Sequence, residues 1–292
     1  MHNIASSMQD YVDVMGFQSL EGSKATFLPG VHFYRASQSS ARQPLLYQSG
    51  IIIIGQGRKV IHLGEHHVNY GAGDYLVVGV PLPLECEAFV EDEQAILGLS
   101  IDVPNAVLHE LVNILAQNKR YSGPTKNQLA CGLKSASLDE DLQLSCMRLL
   151  KALKNPTEAQ VLGPGLIREI VYRVLIGAQG QTLFGLAQHD GHYARVAKAL
   201  TRVHQDYAQE LSVDFLASEA NMSVSAFHRA FRQVTLESPV QYVKKVRLVK
   251  ARDLINYEGK KASEAALLVG YTSPSQFSRE FKRHFNQSPS AA

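Results

Sequence analysis

The sequence predicts an α+β protein in which a small N-terminal β-barrel with accompanying helices is followed by an all-α domain. Three observations support this prediction: glycine-punctuated β-branched runs between residues 45 and 101, helical periodicity after Pro104, and an internal repeat near the C-terminus. We expect the first domain at residues 1–180, a linker at 181–192 and the second domain at 193–292.

The strands of the predicted barrel recur about every ten residues. Runs at 51–54, 59–63 and 75–80 are separated by Gly55-Gln56-Gly57 and by Gly71-Ala72-Gly73-Asp74. Short β-branched segments between glycine turns are typical of an antiparallel barrel or sandwich. This barrel is therefore the part of the chain best suited to enclosing a ligand.

Helices are predicted after the barrel, because apolar residues are spaced three or four apart from Val107 onward. Further helices are expected over 138–153 and 166–176, separated by Pro156 and by Gly163-Pro164-Gly165. These helices carry more apolar surface than packing against one small barrel can bury, so we expect them to form a homodimer.

The charge of the chain is unevenly distributed. Residues 1–189 hold 14 Lys+Arg against 17 Asp+Glu, whereas residues 190–292 hold 15 against 10. A basic C-terminal third is typical of a module that binds a polyanion, and chance scatter of charge is the alternative explanation.

Three cysteines, Cys86, Cys131 and Cys146, show neither disulfide nor zinc spacing. The N-terminus lacks a basic segment followed by an apolar one, and the longest apolar run, 51–54, is too short to cross a bilayer. These features predict a cytoplasmic protein without a membrane role.

The C-terminal repeat aligns two segments without a gap, at an offset of 50 residues. Its identical positions are Ser223/Ser273, Ser225/Ser275, Phe227/Phe277, Arg229/Arg279 and Phe231/Phe281, and Ser238-Pro239 recurs as Ser288-Pro289. Two basic amphipathic helices can resemble each other by chance, but the Ser-Pro pair at the same interval favours a duplication.

Each copy has the parts of a helix-turn-helix. An alanine-rich first helix, at 213–220 or 262–269, is followed by a turn at Asn221 or Gly270, where these residue types adopt positive φ at low cost. The serine that opens each copy is positioned to N-cap the second helix.

The second helix of each copy is expected to place its two phenylalanines in the core, because residues four apart share one face. The opposite face carries short polar and basic side chains, which suit base edges and phosphates in a major groove. The predicted DNA-contacting residues are Ser225, His228, Arg229, Arg232, Ser275, Gln276, Arg279 and Lys282. A solvated surface charge is the alternative for any single arginine.

A long helix is predicted over 239–257, between the two units. A rigid connector would fix the separation of the two recognition helices. If that separation is near one turn of B-DNA, about 34 Å, one chain reads two adjacent major-groove segments.

These segments resemble the DNA-binding domain of the AraC/XylS regulators. The resemblance is carried by Leu216-Ala-Ser-Glu-Ala-Asn-Met-Ser, Ser238-Pro-Val-Gln-Tyr-Val and Val269-Gly-Tyr-Thr-Ser-Pro. Upstream, Gly50-Ile-Ile-Ile-Ile and Val80-Pro-Leu-Pro-Leu-Glu-Cys-Glu resemble the cupin-type N-terminal domain of one AraC subfamily, closest to enteric activators of aldehyde-detoxification genes. The resemblance implies a transcription regulator, commonly an activator working with RNA polymerase, whose N-terminal domain binds a small molecule and dimerises.

Candidate sites inside the barrel are few. A metal cupin uses a His-x-His pair, whereas His66 and His67 are adjacent and would point to opposite faces of a strand, so no metal site is expected. Cys86 is the candidate for sensing an electrophile such as a reactive aldehyde, and His62 is a second effector-sensing candidate. A small buried residue is the alternative for Cys86.

The sequence as a whole predicts a regulator that binds double-stranded promoter DNA and a small-molecule effector. It contains no nucleophile motif, carboxylate pair or phosphate-binding loop, so neither catalysis nor a cofactor is expected. The alternatives are a cupin enzyme with a DNA-binding tether and a thiol-based electrophile or redox sensor.

Overall fold

The computed structural model describes residues 3–63, 66–117, 133, 135–187 and 191–291. The chain divides into two compact units. The first comprises Met1–Arg42, Gln48–Gly79 and Cys86–Ala187, and the second comprises Gln43–Tyr47, Val80–Glu85 and Gln188–Ala292. Among the described residues, no helix combines the length and the apolar character needed to cross a membrane.

The strands lie early in the chain. The elements up to residue 101 are α1 (Ile4–Met15), β1 (Gly22–Ala25), β2 (Val31–Ala36), β3 (Ser40–Tyr47), β4 (Gly50–Gln56), β5 (Arg58–Leu63), β6 (His66–Gly71), β7 (Asp74–Val78), β8 (Leu82–Phe89) and β9 (Ile96–Ile101). They are followed by α2 (Asn105–Gln117), β10 (Ser135–Ser137), α3 (Glu140–Ala152), α4 (Pro156–Ile176) and α5 (Gly180–Ala187). A six-stranded sheet has the order β1-β2-β9-β4-β7-β10, and a four-stranded sheet has the order β3-β8-β5-β6.

The described residues from His192 onward form helices joined by short connections. They are α6 (His192–Asp206), α7 (Val213–Glu219), α8 (Val224–Thr235), α9 (Pro239–Glu258), α10 (Ala262–Leu268) and α11 (Pro274–Phe285). The predicted order, a strand-rich part followed by a helical part, is confirmed. The predicted long helix is α9.

The six-stranded sheet has two different faces. Phe33 and Ile53 both pair with Leu99 across neighbouring strands, and all three are at most 1% exposed. Because directly paired residues share a face, this face packs as one core with α1, α3 and α4. The alternate positions, such as Tyr34 and its partner Gly98, point to the other face.

The predicted helix break at Gly163-Pro164-Gly165 is wrong, because α4 continues through Pro164. The helix begins at Pro156, whose missing N–H is not needed in the first turn. Gly163 packs directly on Leu28, where a Cβ would lie 2.5 Å from a methyl carbon. Tertiary packing of the helix therefore outweighs the local helix-breaking tendency of the Gly-Pro-Gly sequence.

The predicted linker, 181–192, starts too early. Residues Gly180–Ala187 form α5, and Leu183 and Phe184 are buried in the core of the first unit. Burial of these apolar side chains outweighs the glycines that suggested a flexible connection. Helix α6 begins at His192 with Gly191 as its N-cap, and residues 188–190 of the predicted linker lie outside the described residues.

Helix α9 belongs to two hydrophobic cores. Tyr242, in its first half, packs edge-on against Phe231 of α8. Leu248 and Ala251, further along, lie in a cluster with Phe277 and Phe281 of α11. The long helix thus joins the two repeats by packing as well as by chain connection.

Candidate nucleic-acid interface

The first repeat forms the predicted helix-turn-helix. Helix α7 ends before Asn221, which adopts the left-handed conformation with φ 50°, and α8 follows. The Ser223 hydroxyl oxygen accepts a hydrogen bond from the Ala226 N–H at 3.4 Å, so the predicted N-cap is confirmed. Phe227 and Phe231 are both 0% exposed, as predicted for core residues.

The second repeat has the same construction. Helix α10 is followed by Gly270, with φ 86°, and then by α11. Ser273 accepts from the Gln276 N–H at 3.3 Å, and Phe277 and Phe281 are buried. The gapless sequence repeat therefore corresponds to a repeat of local structure.

The outer faces of α8 and α11 carry the predicted DNA-contacting side chains. All eight are exposed: Ser225, His228, Arg229, Arg232, Ser275, Gln276, Arg279 and Lys282. Within the described part of the chain, the three arginines and Lys282 form no ion pair. Gln276 is engaged, since its side-chain N–H donates to Glu280 at 3.1 Å. These two faces thus offer four cations that no carboxylate of the described chain neutralises.

The basic residues of α9 are used differently. Lys244 pairs with Glu280 of α11 at 2.8 Å, and Lys245 pairs with Glu237. Glu280 also accepts a hydrogen bond from the Tyr271 hydroxyl at 2.9 Å. Lys244 therefore fixes α11 to α9, and Lys245 holds the turn between α8 and α9, roles that the sequence pattern did not predict.

Through backbone carbonyls, Arg247 of α9 joins the second repeat to the connection between α6 and α7, which leads into the first repeat. Its Nε donates to the Tyr207 oxygen at 2.6 Å, and its Nη2 donates to the Gln209 oxygen at 2.7 Å. Its Nη1 donates to the Gly270 oxygen, in the turn of the second repeat, at 3.3 Å. Burial lowers the pKa of Arg247, but guanidinium groups stay charged in proteins. We call this arrangement the Arg247 clamp.

Gly270 also touches the segment that Arg247 holds. A Cβ at Gly270 would lie 2.2 Å from the carbonyl oxygen of Ala208, well inside contact distance. Ala208 lies between Tyr207 and Gln209, whose carbonyls bind Arg247 in the connection that leads into the first repeat. The Arg247 clamp and this close backbone contact together fix how the second repeat sits on the first.

His204 of α6 is a buried titratable group in the second unit. Its Nε2 lies 2.7 Å from the hydroxyl oxygen of Tyr242, and that hydroxyl donates to the Pro81 carbonyl oxygen at 2.5 Å. Burial, helped by the positive charge of Lys250, lowers the pKa of His204 to about 4. The pKa of His284 of α11 is lowered to about 4 as well, mainly by burial.

The second unit is expected to lose stability as the pH falls below about 6.5, the usual histidine pKa. The folded state keeps His204 neutral, so its contribution is complete above that pH and is lost as the pH falls toward 4. At pH 5 we expect a loss of about 1–2 kcal/mol from His204. Denaturant titrations at pH 7.5 and pH 5 measure it, and His204→Gln should shrink the difference while leaving the share of His284. An unchanged difference in His204→Gln would contradict this assignment.

The two effector-sensing candidates lie apart. Cys86 is 5% exposed, and its thiol lies 3.4 Å from the Glu87 carbonyl oxygen. His62 is bonded through Nε2 to the Glu87 carboxylate at 2.8 Å. Since successive residues of a strand point to opposite faces, His62 lies on the face away from Cys86. The structure therefore does not combine them into one site.

Further residues suited to chemistry include the remaining cysteines, possible metal ligands and a buried lysine. Burial raises the pKa of the Cys146 thiol, which lies in the core of the first unit, and Cys131 falls outside the described residues. In the described ranges, no group of three or more His, Cys, Asp or Glu side chains is arranged to hold a metal. Sequence reasoning missed Lys59, a lysine of β5 that is only 7% exposed.

Each of the two parts of the chain matches a known protein family. Residues 27–182 match the family described as AraC-type transcriptional regulator N-terminus, and residues 216–292 match a helix-turn-helix domain family. The HTH-type transcriptional activator RhaS of Shigella dysenteriae serotype 1 is 25% identical over 290 residues, covering 90% of this chain and 95% of RhaS. RhaS of Klebsiella pneumoniae is 31% identical over 96 residues, which cover 33% of this chain and 34% of that protein.

Solved structures show the same fold. The structure of ToxT from Vibrio cholerae with a bound unsaturated fatty acid superposes with a TM-score of 0.58 at 12% identity. The match covers 93% of this chain and 96% of ToxT. A second ToxT structure, of an apo variant, superposes with a TM-score of 0.60 at 10% identity and covers 93% of this chain and 98% of that one.

Proposed function

The chain belongs to the AraC-type transcriptional regulators, and we propose that it activates transcription by reading two successive segments of promoter DNA with α8 and α11. In this proposal the eight exposed residues of the two helices contact DNA. A small molecule held in the strand-rich part of the chain controls that activity.

One observation supports this function above the others. The same exposed face occurs twice, on two helices fixed to a common helix α9, and each face carries basic side chains without a carboxylate partner in the described structure. Short polar residues near a helix N-terminus reach base edges, and unpaired Arg and Lys further along neutralise phosphates. A solvated helix would not need two such faces in one register.

Selection of binding sites from random duplexes by the full chain, at one fixed salt concentration, tests the proposal. We expect a motif with two conserved segments about one helical turn apart. Mapping of bound sites in the genome of the source organism then identifies the controlled promoters. Binding without any sequence preference would contradict the proposal.

The proposal also concerns how the effector binds. A thiol sensor for aldehydes needs an accessible thiolate, whereas Cys86 is 5% exposed. The burial of Cys86 favours its role as a small packing residue, so we propose an effector that binds without covalent reaction.

A homodimer and contact with RNA polymerase complete the proposal. Activators act through RNA polymerase, which is the expected second partner on the promoter. Dimerisation is supported by apolar side chains exposed on the helices of the first unit: Val161 is 72%, Leu162 50% and Leu144 50% exposed. Such side chains on neighbouring helices are typical of an interaction surface.

Val161→Asp in the full chain is expected to weaken the dimer about 10-fold or more, because a charge placed in an apolar contact must be desolvated. Sedimentation velocity at tens of micromolar measures the change, and Gln205→Asp, which adds the same charge to an exposed position of α6, is the matched control. A wild-type chain that stays strictly monomeric would remove dimerisation from the proposal.

A further inference from the structure

We propose that the space between β5 and the six-stranded sheet of the first unit binds a small apolar molecule through a carboxylate group, and that Lys59 holds this carboxylate. The inference rests on the proposed function, because it names the chemical class of the effector.

Lys59 points into the space between the sheets. On β5 it shares a face with Ile61, which is 0% exposed, and it pairs directly with Tyr70 of β6, which is 1% exposed. Its ammonium nitrogen lies 3.5 Å from the centre of the Tyr34 ring. Tyr34 lies on β2 of the other sheet, so the side chain of Lys59 spans from one sheet to the other.

The charge of Lys59 has no carboxylate counterion among the described residues, where its ammonium group contacts the Tyr34 ring. A cation over an aromatic ring recovers part of the cost of burial, but a buried charge is normally paired. Burial lowers the pKa of Lys59 to about 8, although the neighbouring Cys86 thiol acts in the opposite direction. Most molecules therefore still carry the charge at neutral pH.

The face of the six-stranded sheet that carries Tyr34 is partly accessible further along its strands. Ile52 and Ser100 form a direct pair on the strands β4 and β9, which lie inside the six-stranded sheet, yet both are partly exposed. Their neighbours on the opposite face, Ile53 and Leu99, are at most 1% exposed. Because Ile54 and Gly98 of the same face are buried, the gap that we infer lies against Ile52 and Ser100.

The lining of this gap defines the ligand. Ile52 offers apolar surface, whereas Tyr34 and Ser100 offer hydroxyl groups that can donate to an acid. A carboxylate on an apolar body matches this set, because it neutralises the Lys59 ammonium and buries its remainder against aliphatic side chains.

Titration of the full chain with hexanoate, octanoate and cyclohexanecarboxylate, each beside its matching primary alcohol, tests the inference calorimetrically at pH 7. We expect saturable binding of at least one carboxylate and weaker binding of its alcohol. Lys59→Met should lower the affinity for the carboxylate about 30-fold or more, because truncating one partner of a buried charge pair typically has such an effect. Lys59→Arg should retain binding.

Two control variants accompany Lys59→Met. Lys24→Met removes an exposed lysine that also lies over an aromatic ring, Phe17, at 4.7 Å, and should leave binding unchanged. Cys86→Ser tests the neighbouring thiol and should also leave it unchanged. The comparison of acid with alcohol uses the wild-type chain alone, so the inference stays testable if Lys59→Met folds poorly.

Three results would overturn the inference. They are equal affinity for acid and alcohol, unchanged affinity in a folded Lys59→Met, and trapping of octanal on Lys59 by cyanoborohydride without any carboxylate binding. None of these measurements involves DNA. A chain that selects its DNA motif but binds no carboxylate refutes only this inference, whereas a chain without sequence preference refutes the proposed function.

Discussion

Gly270→Ala is expected to destabilise the second unit by roughly 2–5 kcal/mol, a large share of the stability of an ordinary domain. Two costs add up. The residue has φ 86°, a conformation that an L side chain adopts with strain, and its new Cβ would lie 2.2 Å from the Ala208 carbonyl oxygen. Either the turn or the segment after α6 has to move. Displacement of α11 relative to α8 should also weaken binding to the two-part DNA site.

Gly259→Ala is the matched control for this change. Gly259 ends α9 with φ 66°, but nothing lies within 4 Å of the position that a Cβ would occupy. This variant therefore has the conformational cost alone, about 1–2 kcal/mol. Thermal unfolding of the full chain and affinity for the selected duplex measure both variants. Equal losses for Gly270→Ala and Gly259→Ala would show that the contact with Ala208 does not matter.

Arg229→Ala and Arg279→Ala are each expected to relax sequence preference in one segment of the DNA site. Both residues are exposed, and each follows a buried phenylalanine by two positions. Both side chains therefore point away from the side of the helix that packs in the core. An arginine that binds a guanine through two hydrogen bonds is typically worth about 1–3 kcal/mol of discrimination. We therefore expect the affinity for the preferred site to fall about 5-fold to 100-fold or more in each variant.

Lys282→Ala separates base readout from phosphate contact. If Lys282 meets phosphate only, its loss should weaken all sequences alike and reduce the salt dependence of binding by about one unit. The measurement is site selection by wild type and each variant at one salt concentration, with affinities for the selected duplex followed over a salt series. If both arginine variants select the unchanged motif with uniformly lower affinity, these arginines contact phosphates instead.

The helix-turn-helix repeats could be predicted in detail because local sequence determines them. A serine cap, a residue that tolerates positive φ and two phenylalanines one turn apart each act within a few residues, and the structure has them at Ser223, Asn221, Phe227 and Phe231. The exposed faces follow from the same helical period. Their contacts with DNA stay predictions.

The features that escaped prediction depend on contacts between distant residues. Helix α4 passes through Pro164 because its Gly163 fits against Leu28, far away in the chain. Lys59 lies in a strand with apolar residues on both faces, so alternation alone does not show whether its side chain points into the protein interior. Arg247 looks like any other basic residue of α9 until the carbonyls that it binds are known.

The Arg247 clamp has a consequence for the DNA itself. Because the two repeats are fixed to one another, an operator whose helical pitch does not match them has to bend or untwist between the two contacted segments. The base pairs in that interval need not be touched to matter, since flexible pyrimidine–purine steps deform at lower cost than stiff A-tracts. Promoters with identical contacted bases should therefore differ in occupancy according to the stiffness of their central base pairs.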